Sequence, residues 1–150
     1  MGGVAAGAAG AVVCPGCAIV AGIGVAVYAD TKYRQYVTYT MVGPKGLIYV
    51  GRTSGYGSPQ AIATRRGYGH GVRRARGFSA PIADRFSSGD FGRRGIRGRE
   101  QQMIDFHGGV GDPRVDNLIR GVSRINLRGR SYHDAANSLF GEIHPYTGAF

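Results

Sequence analysis

A chain of 150 residues has room for one domain of ordinary size and one appended segment. Apolar residues make up 43% of it, which excludes disorder by composition despite the 27 glycines. The formal charge is +10 and 17 of the 19 basic residues are arginine, the side chain suited to planar, bidentate phosphate contacts; nucleic acid is the simplest partner, with an acidic protein or an anionic membrane surface as alternatives.

Residues 4–28 carry no charge. At 1.5 Å rise per residue such a stretch is long enough as a helix to cross a bilayer core of ~30 Å. It is rich in Ala and Gly, and Pro15-Gly16 predicts two helical halves with a break between them. No basic region precedes it, so it does not read as a standard secretory signal. A translocation segment, an anchor or a linker remain, with transient membrane contact as the expected behaviour. Cys14 and Cys17 lie inside this uncharged run, where a thiolate is poorly stabilised, and no second cysteine pair exists to complete a zinc site. Composition changes abruptly at Asp30-Thr31-Lys32, which divides the chain into an apolar segment, 1–30, and a basic domain, 31–150.

Residues 35–42, QYVTYTMV, predict a strand. Gly43-Pro44-Lys45-Gly46 predicts a turn, and LIYVG (47–51) the returning strand, so that Tyr39 and Tyr49 lie on two arms of one hairpin. Ser58 as N-cap and Pro59 at the first helical position start a helix that runs to about Arg66. Residues 79–87 predict a third strand, 89–98 a basic loop, and 99–107 a short helix burying Met103, Ile104 and Phe106. Asp112-Pro113 predicts another helix, with Val115, Leu118 and Ile119 on one face. A last helix is expected over 131–142, capped by Ser131.

Phosphodiester hydrolysis needs an activated water, positive charge against the phosphate and help for the leaving oxygen. Tyr39 or His70 offers a proton acceptor and Arg66 a cation. From Arg65 to Arg99 there are ten arginines and only two aspartates, Asp84 and Asp90. Glu100, directly after that run, is a lone carboxylate able to hold a divalent cation that keeps most of its waters.

The order of Tyr39, a turn, then Tyr49-Val50-Gly51 resembles the paired motif of the GIY-YIG nucleases. Arg66 and His70, four residues apart, resemble the Arg and His on the family's first helix. Glu100 in GREQQMID resembles its single metal-binding Glu, and Asn126 an Asn near the end of the core. More closely, YVGRTS followed by an Arg/His helix, GREQ and GG is similar to nuclease toxin domains at the C-termini of bacterial polymorphic toxins of the Rhs type. The resemblance covers roughly residues 36–140. It implies an α+β fold, a small three-stranded antiparallel sheet flanked by helices, here preceded by the apolar helical segment. It implies a metal-dependent endonuclease using one Mg²⁺ or Mn²⁺ on Glu100, with Tyr39, Tyr49, Arg66 and His70 catalytic and Tyr39 as the base. Arg52, Arg65, Arg73, Arg74 and Asn126 would bind substrate, DNA rather than RNA; Arg65 could replace Arg66, and Arg52 could be the phosphate contact. It further implies secretion by a bacterium, action in the target-cell cytoplasm and a cognate acidic immunity protein. Two other readings stand beside it. One is an ADP-ribosyltransferase toxin built on Arg52, Ser54 and Glu100; the other is a non-enzymatic basic module that binds nucleic acid or membrane.

Overall fold

The computed structural model describes residues 32–149. The expected apolar helical segment, 1–30, with Cys14 and Cys17, lies outside the described residues. Within them, three strands form one antiparallel sheet: β1 (Gln35–Val42), β2 (Ile48–Gly55) and β3 (Ile82–Ser88), in the order β2-β1-β3. Helices flank it: α1 (Pro59–Gly67), α2 (Gly71–Ala75), α3 (Gly89–Phe106) and α4 (Gly129–Phe140). This is the α+β sheet flanked by helices that the sequence leads one to expect.

The central strand is β1, whose Tyr-, Val- and Thr-rich sequence suits a strand with neighbours on both sides. One face packs Val37, Tyr39 and Met41 against Ile62 and Ala63 of α1 and against Phe78. The other face packs Val50 against Met103 and Ile104 of α3 and against Val115. Side chains alternate along a strand, so Tyr49 and Gly51 belong to the α1 face, and Val50 and Arg52 to the α3 face. Ser58 caps α1 as expected, its hydroxyl accepting from the Ala61 amide at 3.3 Å.

Three segments differ from the sequence reading. Residues 89–98 are the first half of α3, a single helix of 18 residues, and not a loop. Gly92, Gly95 and Gly98 repeat every third residue, and each is buried. A Cβ at Gly95 would sit 2.5 Å from Leu139, and one at Gly98 would fall on the Tyr132 carbonyl. Gly95 and Gly98, which weaken an isolated helix, are therefore what lets the main chain of α3 meet a side chain and the main chain of α4. Phe106, at the end of α3, is 54% exposed, contrary to the expected buried face.

The expected helix after Asp112-Pro113 is absent. Asp112 accepts from the Arg114 amide at 2.8 Å, an Asx turn, and the next residues run beside β2. The Ile48 amide donates to Arg114 and its carbonyl accepts from the Asp116 amide, both at 2.8 Å. Val115 is buried as predicted, but Leu118 and Ile119 are exposed. The last helix begins two residues early. Arg128 is its N-cap, and Ser131, in the first turn, donates back to the Arg128 carbonyl at 2.8 Å.

Candidate functional site

Tyr39 reaches outward from the central strand across its cross-strand partner Gly51. A Cβ at Gly51 would lie 2.5 Å from the Tyr39 hydroxyl, so the absent side chain makes the groove in which the phenol lies. That hydroxyl is 2.7 Å from His70 Nε2, and the pair is buried. Tyr49 closes the triangle, with ring centroids 6.3 Å from Tyr39 and 5.1 Å from His70. The Arg73 guanidinium stacks 3.7 Å above the Tyr49 ring. The same guanidinium donates from Nε to Asp116 at 2.8 Å, and Arg76 donates to the other oxygen of that carboxylate at 2.8 Å.

His70 arrives by a different route from the one its spacing suggests. Helix α1 ends at Gly67, where a Cβ would sit 2.6 Å from the Pro81 ring. A turn through Tyr68 and Gly69 follows, and His70 is the N-cap residue of α2. Arg66 and His70 thus do not share a helix, yet the Arg66 cation stands beside both the Tyr39 phenol and the His70 ring.

Burial pushes the Tyr39 phenol well above its ordinary value of 10.0, and neighbouring Tyr49 raises it further; Arg66 opposes both without prevailing. A base that must exist as phenolate needs the opposite shift, so the expected role of Tyr39 as an ionised base does not fit its surroundings. Burial lowers the His70 pKa, and the charges of Arg66 and then Arg73 lower it further. The imidazole is neutral at pH 7 and able to accept a proton.

Glu100 stands on the other face of the sheet. It lies on α3, buried, and takes an ion pair and hydrogen bond from Arg52. A Cβ at Gly121 would meet its carboxylate, so this backbone also approaches as only glycine permits. Burial raises the Glu100 pKa, while Arg52 and then Arg97 pull it down. Tyr39 pairs across the sheet with Gly51, and Thr38 with Arg52. The phenol and the carboxylate therefore approach one short segment of the edge strand β2, residues 51–52, from its two faces. Among the described residues no group of three or more His, Cys, Asp or Glu could hold a metal. A cation here would have one protein ligand, Glu100, and would retain its waters; a buried carboxylate does call for a cation, and Arg52 now fills that role.

The other predicted residues are more scattered. Arg65 is exposed and donates to the Tyr56 carbonyl, and Arg74 is an exposed residue of α2. Asn126 lies in the turn before α4, accepting from the Arg128 amide at 2.9 Å. The structured asparagine is Asn117: its side chain accepts from the Val50 amide at 2.9 Å and donates to the Val50 carbonyl at 2.8 Å, bracketing the outer edge of β2. No signal in the sequence singles it out, because its role depends on a segment expected to be helical. Ser54 accepts from Arg34 at 3.1 Å.

Sequence reasoning also missed a cavity of about 540 Å³ on the α3 face. Arg93, Arg94 and Arg97 of α3 line it together with Arg52 and Arg128, beside Tyr36 and Tyr132. Reading 89–98 as a loop concealed it; on a helix, positions 93, 94 and 97 share a face. No family model, curated protein or solved structure matches this chain.

Proposed function

We propose that this domain hydrolyses phosphodiester bonds in nucleic acid, as an endonuclease acting on DNA. The observation that carries the reading is the meeting of Tyr39, Tyr49 and His70 with the Arg66 and Arg73 cations, at the strand segment that Glu100 approaches from behind. Tyr39 donates its proton to His70 Nε2 and accepts one from the attacking water as the water oxygen bonds to phosphorus. The phenol is neutral before and after, so its raised pKa is no obstacle, and His70 carries the proton away. The P–O bond to the leaving oxygen breaks, and that oxygen takes its proton from solvent. Arg66 offsets the charge that develops on the phosphate. Glu100 lies on the opposite face from Tyr39, so a hydrated Mg²⁺ or Mn²⁺ held by it would supply Lewis-acid stabilisation to a phosphate that spans the edge of β2 at residues 51–52. Arg52 must then release Glu100 and turn to the substrate.

The excess of arginine suits neutralisation in the producer by an acidic immunity protein; secretion by a bacterium and action in the cytoplasm of a target cell complete the proposal. The ADP-ribosyltransferase alternative gains nothing from the geometry, since Ser54 is held by Arg34.

The test is cleavage of supercoiled plasmid by the full chain with Mg²⁺, beside Tyr39→Phe, His70→Gln and Glu100→Gln. Each variant is expected to lose at least ~100-fold in rate, in the range that general acid–base groups contribute. Thermal melts accompany the assay. Glu100→Gln is expected to melt no lower than wild type at neutral pH, because burial already penalises the carboxylate. Cleavage by Glu100→Gln at the wild-type rate would remove Glu100 from the site. Absence of cleavage of DNA and RNA by folded wild type would reduce the tyrosines to core residues.

A further inference from the structure

We infer that the arginine-lined cavity between α3, α4 and β2 binds one nucleotide unit of an unpaired nucleic-acid strand. Most carboxylates elsewhere in the described structure neutralise a specific arginine: Asp84 holds Arg99, Asp105 holds Arg120, Asp112 holds Arg114, and Asp116 holds Arg73 and Arg76. Of the cavity's arginines, Arg52 alone is held by a buried carboxylate, Glu100. Arg94 and Arg128 have no carboxylate partner among the described residues, and Arg93 has only Asp90, itself 87% exposed. Arg97 stacks 5.0 Å from the Tyr132 ring, which fixes its guanidinium, and its Nε is buried without an acceptor. A buried donor left unmatched is costly, and here it belongs to a residue that lines the cavity. Phosphate oxygens supply acceptors of the right charge for such a fork.

The volume and the rings narrow the ligand further. About 540 Å³ lies within the range of sites that enclose small ligands of nucleotide size. A duplex cannot enter such a cavity, because its bases are stacked inside and its backbone meets only the rim. A single strand can turn one nucleotide inward, its phosphate on the guanidinium groups and its base against an aromatic face. Tyr36, on the same strand face as Thr38, is the partly exposed ring that lines the cavity.

This inference does not depend on hydrolysis, and binding is measured with chelator present so that no cleavage can occur. Fluorescence anisotropy would compare a labelled single-stranded DNA oligonucleotide with the duplex of the same sequence on the full chain. Arg94→Gln/Arg128→Gln is expected to weaken single-strand binding at least ~10-fold and to flatten its salt dependence by one to two phosphate contacts. Lys45→Gln/Arg124→Gln removes the same charge from exposed positions outside the cavity and is expected to cost ~3-fold or less. Tyr36→Leu is expected to weaken the single strand and leave the duplex unchanged. Equal losses in the two double variants would overturn the site, leaving only diffuse charge. Duplex bound as tightly as single strand would overturn the unpaired strand as ligand. Polyglutamate competing as well as the oligonucleotide would transfer the cavity to an acidic protein.

Discussion

At the residue scale the decisive group is His70. In the unfolded chain it titrates near its ordinary value of 6.5; in the fold, burial and the Arg66 and Arg73 cations disfavour the imidazolium and lower that value. Between the two values the unfolded chain binds a proton that the native protein refuses. Stability is therefore complete above pH ~6.5, falls as pH drops through the window, and levels off below the folded pKa. Burial first, then the Arg114 charge, lowers His107 in the same direction, and burial lowers His133 despite Glu142. Glu100 works the other way, since protonation relieves its burial. Comparing wild type with His70→Gln isolates one contribution. The variant is expected to lose less stability than wild type between pH ~7.5 and ~5.5, measured as the urea midpoint. Identical pH slopes would mean that His70 is solvated and not held against Tyr39. The cleavage rate should rise over the same window, as neutral imidazole becomes available to accept the proton.

At the scale of elements, the contact between α3 and α4 is where the sequence misleads and the structure explains. Gly98 faces the Tyr132 carbonyl so closely that any Cβ collides with main chain, which cannot swing aside as a side chain would. Gly98→Ala gains about 1 kcal/mol of helix propensity but forces two helices apart. Overpacking of this kind costs about 1–3 kcal/mol, and the clash with main chain puts this case at the upper end, so a net loss approaching about 2 kcal/mol is expected, with α4 and the cavity it lines displaced. Gly71→Ala, at a position with open space around it and no positive φ, is expected to change stability by less than about 1 kcal/mol. Chemical denaturation of both variants checks the contrast; equal small effects would mean that the helices are not in backbone contact. The same case shows what a sequence can reveal. The hairpin, the Ser58-Pro59 helix start and the third strand are legible because local chemistry sets them: β-branched runs, a cap and a turn. Helix α3 is not, because its glycines read as breakers until α4 is known to need them. The segment after Asp112 fails for the converse reason: its apolar spacing is helical, but its backbone groups are consumed by β2. The Tyr39–Tyr49 pair follows from the hairpin register. The cavity follows only once α3 is a helix.

For the whole molecule the question is which way salt acts. Nineteen basic residues and eight acidic ones fall within residues 32–149. Ion pairs such as Arg114–Asp112 and Arg93–Asp90 are largely exposed on the arginine side and contribute about 0–1 kcal/mol each, less as salt rises. Against them stands repulsion among the arginines left over, gathered most densely around the cavity. Screening weakens both at distances beyond the Debye length, ~10 Å at 0.1 M. The attractive pairs are in contact, whereas the surplus charges repel over longer separations, so salt relieves the repulsion more than it weakens the pairs. Raising NaCl from ~20 to ~200 mM is therefore expected to raise the melting temperature by a few degrees, equivalent to about 1 kcal/mol in a domain of this size. Over the same interval single-strand affinity should fall steeply, because bound phosphates release counterions. Opposite responses to one titrant, read by a thermal melt and by anisotropy on the same samples, identify the surplus arginines as a binding surface that costs the fold stability. A melting temperature that falls with salt would place the net electrostatic stabilisation in the ion pairs, and the arginines around the cavity would then be no burden on the fold.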